Sequence, residues 1–118
     1  MEYFKKLRDF GFNTDNRTYI IAEVGINHGG DLDLAKRIIE SVARTGADAV
    51  KFQTYLTEKR VPKDSPIFDI LKKCELPFEA FAELQAYAKS LNLDFFSTPF
   101  DTDIVDYLAS INCDLYKI

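Results

Sequence analysis

Histidine and cysteine are scarce in this sequence: 118 residues hold one histidine, His28, and two cysteines, Cys74 and Cys113. Two thiols are too few for a disulfide framework, and reduced structural cysteines in a cytosolic protein are the default reading. One histidine among scattered carboxylates makes no metal site of recognisable spacing. Positive charge is not in excess, since the net charge is -4. That removes the basic footprint of a nucleic-acid binder and the polybasic patch of a membrane-surface protein. No apolar run approaches the roughly 18 residues of a membrane span. Lys5, Lys6, Arg8 and Asp9 near the N-terminus have no apolar core behind them, so they do not form a signal peptide. Two nucleotide-binding loops are also absent. Gly25, Gly29 and Gly30 have the wrong spacing for G-x-G-x-x-G, and there is no G-x-x-x-x-G-K.

What is present is an ordinary globular composition, 47% hydrophobic and 29% charged, in a chain long enough for one modest domain. The expectation is a cytoplasmic protein with no nucleic-acid or membrane partner. Residues 1–17 are weakly patterned and read as an N-terminal extension, with residues 18–118 as the domain itself. Four short apolar runs end in polar groups: Tyr19 to Glu23, Asp48 to Gln53, Leu93 to Ser97, and Asp114 to Ile118. Continuous apolar runs of this length read as strands buried on both faces. Between them lie helical patterns. The first opens at Asp31, a good N-cap, and repeats Ala35, Ile38, Ile39 and Val42 on one face. The second begins at Pro77 with Phe81, Leu84, Ala88 and Leu91; the third is capped by Asp101 and carries Ile104, Val105, Leu108 and Ile111. A long connection from Thr54 to Leu76, with room for a short helix over Ile67 to Cys74, reads as a lid or binding loop.

The order β-α-β-α-β-α-β implies a parallel sheet with right-handed crossovers. A doubly wound sheet and a TIM (β/α)8-type barrel both fit, and polar residues at every strand end favour the barrel. A barrel needs about 250 residues. About four strands and three helices therefore make its N-terminal half, and the chain reads as a fragment.

The candidate chemistry lies at the strand ends. Glu23 closes the first run just before a glycine-rich turn, where α/β folds place functional carboxylates; its plainer reading is a turn cap or lysine partner. Lys51 sits between Val50 and Phe52, and a lysine so flanked needs a partner, either Glu23 or an anionic substrate. Gln53 shares the Lys51 face. Ser97 and Thr98 divide evenly between turn formation and phosphate contact. Lys117 repeats the Lys51 theme on the fourth run, on the face opposite Tyr116 and Ile118. His28 and Asn27 read as turn residues, and Glu58-Lys-Arg60 as solvated lid surface. Two lysines, a threonine and backbone N–H groups at one mouth suit a phosphorylated or carboxylated small molecule.

Ile21-Ala-Glu-Val-Gly-Ile-Asn-His-Gly-Gly30, Gly46-Ala-Asp-Ala-Val-Lys-Phe-Gln-Thr54, Phe96-Ser-Thr-Pro-Phe-Asp101 and Tyr116-Lys-Ile118 occur in this order. Together they resemble the sialic acid synthase (N-acetylneuraminate synthase) family, over about Ile20 to Ile118. The resemblance implies the N-terminal part of a (β/α)8 barrel, in a phosphoenolpyruvate-dependent transferase of carbohydrate biosynthesis. Such an enzyme condenses phosphoenolpyruvate with an N-acetylated amino sugar such as N-acetylmannosamine, giving a sialic-type acid and phosphate. It implies that Lys51, Thr98 and Lys117 bind phosphoenolpyruvate, with Gln53 beside them, and that Glu23 orients the sugar and a metal-bound water. It also implies a divalent metal, Mn or Mg, whose ligands lie on later strands outside this chain, and a homodimer for the full-length family. The fragment alone is then expected to be inactive and to self-associate. A Schiff-base aldolase built on a buried lysine and a non-catalytic binding or interaction module are the competing readings.

Overall fold

A computed structural model describes residues 18–118; the expected N-terminal extension lies outside the described residues. The elements are β1 (Ile21–Gly25), α1 (Leu32–Ala43), β2 (Ala49–Thr54), α2 (Thr57–Arg60), α3 (Phe68–Cys74), α4 (Phe78–Ser90), β3 (Asp94–Pro99) and α5 (Thr102–Ser110). The three strands form one parallel sheet in the order β1-β2-β3.

Local chemistry explains the helix starts. Asp31 accepts the Leu34 N–H at 3.0 Å and Asp101 accepts that of Ile104 at 3.1 Å, which satisfies donors that the first turn leaves free. The helix ends share one device. Gly46, Asn92 and Asn112 all have φ between 58° and 82° and turn the chain from helix toward the next extended segment. After α4 and α5 the turn is closed the same way, with Leu93 N–H on the Ala88 carbonyl and Cys113 N–H on the Leu108 carbonyl.

The helices cover one face of the sheet. Ala35 and Ile39 of α1, Phe81 and Leu84 of α4, and Ile104 and Leu108 of α5 are buried with Val24, Val50, Phe52 and Phe95. Phe52 is central to this layer, its ring between those of His28 and Phe95 at 5.9 and 5.5 Å. Fully burying a side chain of this size stabilises the fold by about 1.5–3 kcal/mol. Alternation along β2 sends Lys51 and Gln53 to the other face.

Three expectations change. The first strand runs Ile21–Gly25 rather than Tyr19 to Glu23, because pairing continues past Glu23 through a register irregularity: Glu23 opposes Lys51 and Gly25 opposes Phe52, leaving Val24 as the extra residue. The long connection contains two helices: α3 lies where a short helix is expected over Ile67 to Cys74, and α2 is additional, so the described residues hold five helices rather than three. The expected fourth strand over Asp114 to Ile118 is a single bridge, Tyr116 to Ser97, with the Lys117 N–H on the Ser97 carbonyl at 3.1 Å. Alternating side chains give a segment the capacity for a strand, but a strand exists only where successive backbone groups find a neighbour. The described residues thus form a parallel α/β sheet of three strands.

The turn after β1 is pressed against the end of α3. A Cβ placed on Gly30 would lie 2.1 Å from the Lys73 carbonyl oxygen, whereas one on Gly29 would meet nothing, although both glycines have positive φ. Gly29→Ala should therefore cost the left-handed backbone penalty alone, about 1–2 kcal/mol. Gly30→Ala should cost clearly more, because backbone must move to relieve the clash. Urea-unfolding midpoints test this, and equal losses for the two variants would contradict the packing of the turn on α3.

Candidate functional site

The sheet register brings polar groups from three strands together. Lys51 opposes Glu23 across β1–β2, and Gln53 opposes Thr98 across β2–β3. The Lys51 side chain, only 6% exposed, ion-pairs with Glu23 Oε2 at 2.7 Å and donates to Thr98 Oγ1 at 2.8 Å. The lysine predicted to need a partner has two. Glu23 is 55% exposed at the open end of the pair. Water screens it there, so the pair contributes less than the roughly 3–5 kcal/mol lost when a fully buried pair is broken. The irregularity at Val24 and the absence of a side chain at Gly25 make room for this cluster. A Cβ on Gly25 would stand 3.2 Å from Glu23 Oε1 and 3.6 Å from Gln53 Nε2.

Ser97 and Thr98 part company. Ser97 is fully buried and shares a 2.7 Å hydrogen bond with Thr54 Oγ1, while Thr98 faces Lys51. The half of the reading that placed Ser97 beside a phosphate does not fit this position. Lys117 is attached to β3 through its backbone, but its side chain is exposed and forms no ion pair among the described residues.

Arg60 was missed. Read within a charged run it looked like solvated lid surface, and Glu58 and Lys59 are indeed exposed, Glu58 pairing with Lys72 at 2.9 Å and Lys59 with Asp103. Arg60 instead turns inward. Its guanidinium carbon lies 3.9 Å from the centroid of the Phe100 ring and 4.7 Å from that of Tyr55, and Nη1 donates to Gln53 Oε1 at 3.1 Å. Tyr55 is anchored by its hydroxyl, which donates to the Leu71 carbonyl at 2.7 Å. Burial, reinforced by the nearby Cys74, pushes that phenol up to about 12, so it remains a donor. The usable sequence signal was aromatic residues at 55 and 100, each just beyond a strand end.

His28 is a turn residue bonded to backbone, as expected, its Nδ1 accepting the Gly30 N–H at 3.0 Å. It is also buried, at 1% exposure, and stacked on Phe52 on the helix side of β2, away from Lys51. Its Nε2 has no hydrogen-bond partner. Among the described residues no three His, Cys, Asp or Glu side chains are grouped to hold a metal ion. Glu23 and His28 lie on opposite sides of the sheet, so these residues do not fit a divalent-cation centre. Cys74 and Cys113 are free thiols. No helix among the described residues is long and apolar enough to cross a membrane.

A parallel sheet with a buried lysine, a carboxylate, an amide and a hydroxyl converging at its C-terminal strand ends has the ligand-site architecture of α/β folds. The chain belongs to the NeuB family, whose family model matches residues 38–118. It is 40% identical over 116 residues to the N,N'-diacetyllegionaminic acid synthase of Campylobacter jejuni, covering 86% of this chain and 35% of that protein. It is 31% identical over 113 residues to the N-acetylneuraminate-9-phosphate synthase of Mus musculus, covering 85% and 32%. The crystal structure of the N-acetylneuraminic acid synthetase of Leptospira borgpetersenii in complex with citrate superposes with a TM-score of 0.84 at 39% identity, over 87% of this chain and 36% of that one. The chain spans about a third of the length of the curated relatives it matches.

Burial holds the pKa of His28 below its ordinary value of 6.5, with the Gly25 carbonyl partly opposing the shift. As pH falls below that value, the unfolded chain takes up a proton that the folded chain resists, so stability declines through the interval down to the depressed pKa and is unaffected by this group above it. Urea midpoints should drop more between neutrality and about pH 5 for the wild type than for His28→Gln. Parallel pH profiles would show that His28 is not responsible.

Proposed function

We propose that this chain is the N-terminal part of a nonulosonic (sialic-type) acid synthase barrel of the (β/α)8 kind, which condenses phosphoenolpyruvate with an N-acetylated amino sugar and releases phosphate. The observation that carries the proposal is the buried Lys51, clamped by Glu23 and Thr98 at the strand ends. Its setting is a chain similar to legionaminic, pseudaminic and neuraminic acid synthases. Lys51 supplies fixed positive charge where the carboxylate and phosphate of phosphoenolpyruvate would lie, and Lys117 adds a second ammonium once substrate or later strands draw it in. Charge set in place before reaction is a large catalytic contribution. Thr98 and Gln53 orient the anion. Glu23, exposed at the mouth, takes a proton from, or hydrogen-bonds, the sugar hydroxyls and water at the reacting aldehyde.

In this reading a divalent cation, Mn or Mg, supplies electrophilic activation of the aldehyde. In the same reading its ligands belong to parts of the protein other than the described residues. The same reading makes the whole protein a cytoplasmic homodimer, and makes residues 18–118 alone inactive and prone to pair through uncovered sheet. The Schiff-base aldolase has less support. An amine nucleophile needs a free lone pair and space for a carbonyl carbon, whereas Lys51 is enclosed and already committed to Glu23 and Thr98. A purely interacting module leaves the convergence of Glu23, Lys51, Gln53 and Thr98 without a purpose.

The test is phosphate release by the complete protein carrying this chain, with phosphoenolpyruvate, Mn²⁺ and N-acetylmannosamine. Glu23→Gln should lower kcat by about 10²–10⁴-fold with little change in the KM for phosphoenolpyruvate. Lys51→Ala should raise that KM, and Lys51→Arg should raise it less, because the site needs positive charge. An unchanged KM in Lys51→Ala would refute the role given to Lys51, and full turnover by Glu23→Gln the role given to Glu23.

A further inference from the structure

We propose that Arg60 is an oxyanion-binding residue at the mouth of this site, reading a phosphate or carboxylate of the substrate. The proposal rests on the synthase reading for the identity of the substrate, but not for the anion chemistry itself.

Among the described cations without a carboxylate partner, Arg60 alone is half-buried; the others, Lys117 among them, are exposed. Lys36, Lys51, Lys59 and Lys72 each have a carboxylate partner. Arg60 is half-buried and has none; its hydrogen bond is to the neutral amide of Gln53. The charge of Lys51 is shared with Glu23, so Arg60 is the cation beside Gln53 that no carboxylate offsets. A guanidinium has five N–H donors in a fixed fork, and one of them is used by Gln53.

The side chain is also held ready. Phe100 and Tyr55 flank the guanidinium, and their rings meet edge to face at 6.1 Å. Stacking flat on aromatic faces suits a planar guanidinium better than an ammonium. Lys59, the preceding residue, is tied to Asp103 of α5 and lies 4.0 Å from Asp101. The two cations of α2 therefore do different things: Lys59 pins the short helix to α5, and Arg60 is swung over the strand ends. A side chain immobilised before binding loses less freedom when the ligand arrives.

Gln53 completes the donor set. Because its Oε1 accepts from Arg60, its Nε2 is the end directed toward the Gly25 side, 3.6 Å from where a Cβ of that glycine would stand. Arg60, Gln53 Nε2 and Lys51 are thus donors on one side of the sheet, near the end of β2, which suits a ligand with several acceptor oxygens. A phosphate or carboxylate matches the fork in bidentate fashion. The oxyanion can come from phosphoenolpyruvate or from a phosphate group on the acceptor sugar.

The experiment uses the complete protein carrying this chain, with Arg60→Met, which keeps an apolar stem against the rings, and Arg60→Lys, which keeps charge but not the fork. Calorimetry with inorganic phosphate and with phosphoenolpyruvate, and the rise in Tm that each anion produces over the same protein without it, read binding independently of the variant's own stability. Affinity for at least one of the anions tested should fall about 10–100-fold in Arg60→Met, the range of a lost charged hydrogen bond, and by less in Arg60→Lys. Steady-state arms separate the source. A raised KM for phosphoenolpyruvate alone assigns the group to that substrate, and a raised KM for phosphorylated but not unphosphorylated N-acetylmannosamine assigns it to the acceptor. Anion affinities and both KM values within about twofold of wild type in Arg60→Met would overturn the proposal. A wild-type protein that binds phosphate through Arg60 but condenses none of these sugars would instead remove the synthase reading and leave the anion site standing.

Discussion

A lysine ammonium inside a sheet is the constraint on which the rest of this structure depends. Lys51 lies in the middle strand, almost without contact with water, and an unpaired charge in that position costs several kcal/mol. It is tolerated because β1 and β3 deliver a carboxylate and a hydroxyl to its Nζ at 2.7 and 2.8 Å. Both neighbours must be in register for this to happen. The irregularity at Val24, the left-handed Gly25 and the straight pairing of β2 with β3 are what place them there. A slip of one residue on either side would turn the partner to the helix face and leave the charge alone.

The apolar layer on the other face supplies the rigidity that the polar cluster lacks. Phe52, one residue from Lys51, is locked between His28 and Phe95 and covered by the helices. Because side chains alternate, fixing Phe52 fixes where Lys51 and Gln53 point. The β1–α1 turn contributes to both faces, since His28 packs beneath β2 while Gly30 lets the turn close on the end of α3. The connection after β2 is likewise not loose covering. Leu71 and Leu76 are buried, Tyr55 is bonded to Leu71, and α2 is tied to α5 through Lys59.

Much of this was legible in the chain. The caps Asp31 and Asp101, the helix faces carrying Ala35 and Ile39 or Ile104 and Leu108, and the shared face of Lys51 and Gln53 follow from spacing alone, because helix and strand periodicities are local. The pairing of Lys51 with Glu23 could be anticipated from the scarcity of buried unpaired lysines. The misreadings share a cause. Arg60 looked solvated because its sequence neighbours are charged, yet its contacts are Phe100, forty positions away in the chain, and a glutamine one strand back. The segment at Asp114 alternates like a strand but pairs at a single position.

By itself, the sequence determined the three longer helices and the apolar face of each, the strands that carry Glu23 and Lys51, and through four ordered motifs the family to which the chain belongs. These are properties of short windows, where neighbouring residues set backbone preference and polarity. Tertiary structure decided the rest: that Thr98 and not Ser97 reaches Lys51, that His28 lies on the helix side of the sheet, and that Arg60 turns over the mouth. Each of these depends on the register between strands or on the docking of α2 across β3 and α5. Contacts between residues distant in sequence are selected by the packing of the whole sheet, and no local pattern encodes them.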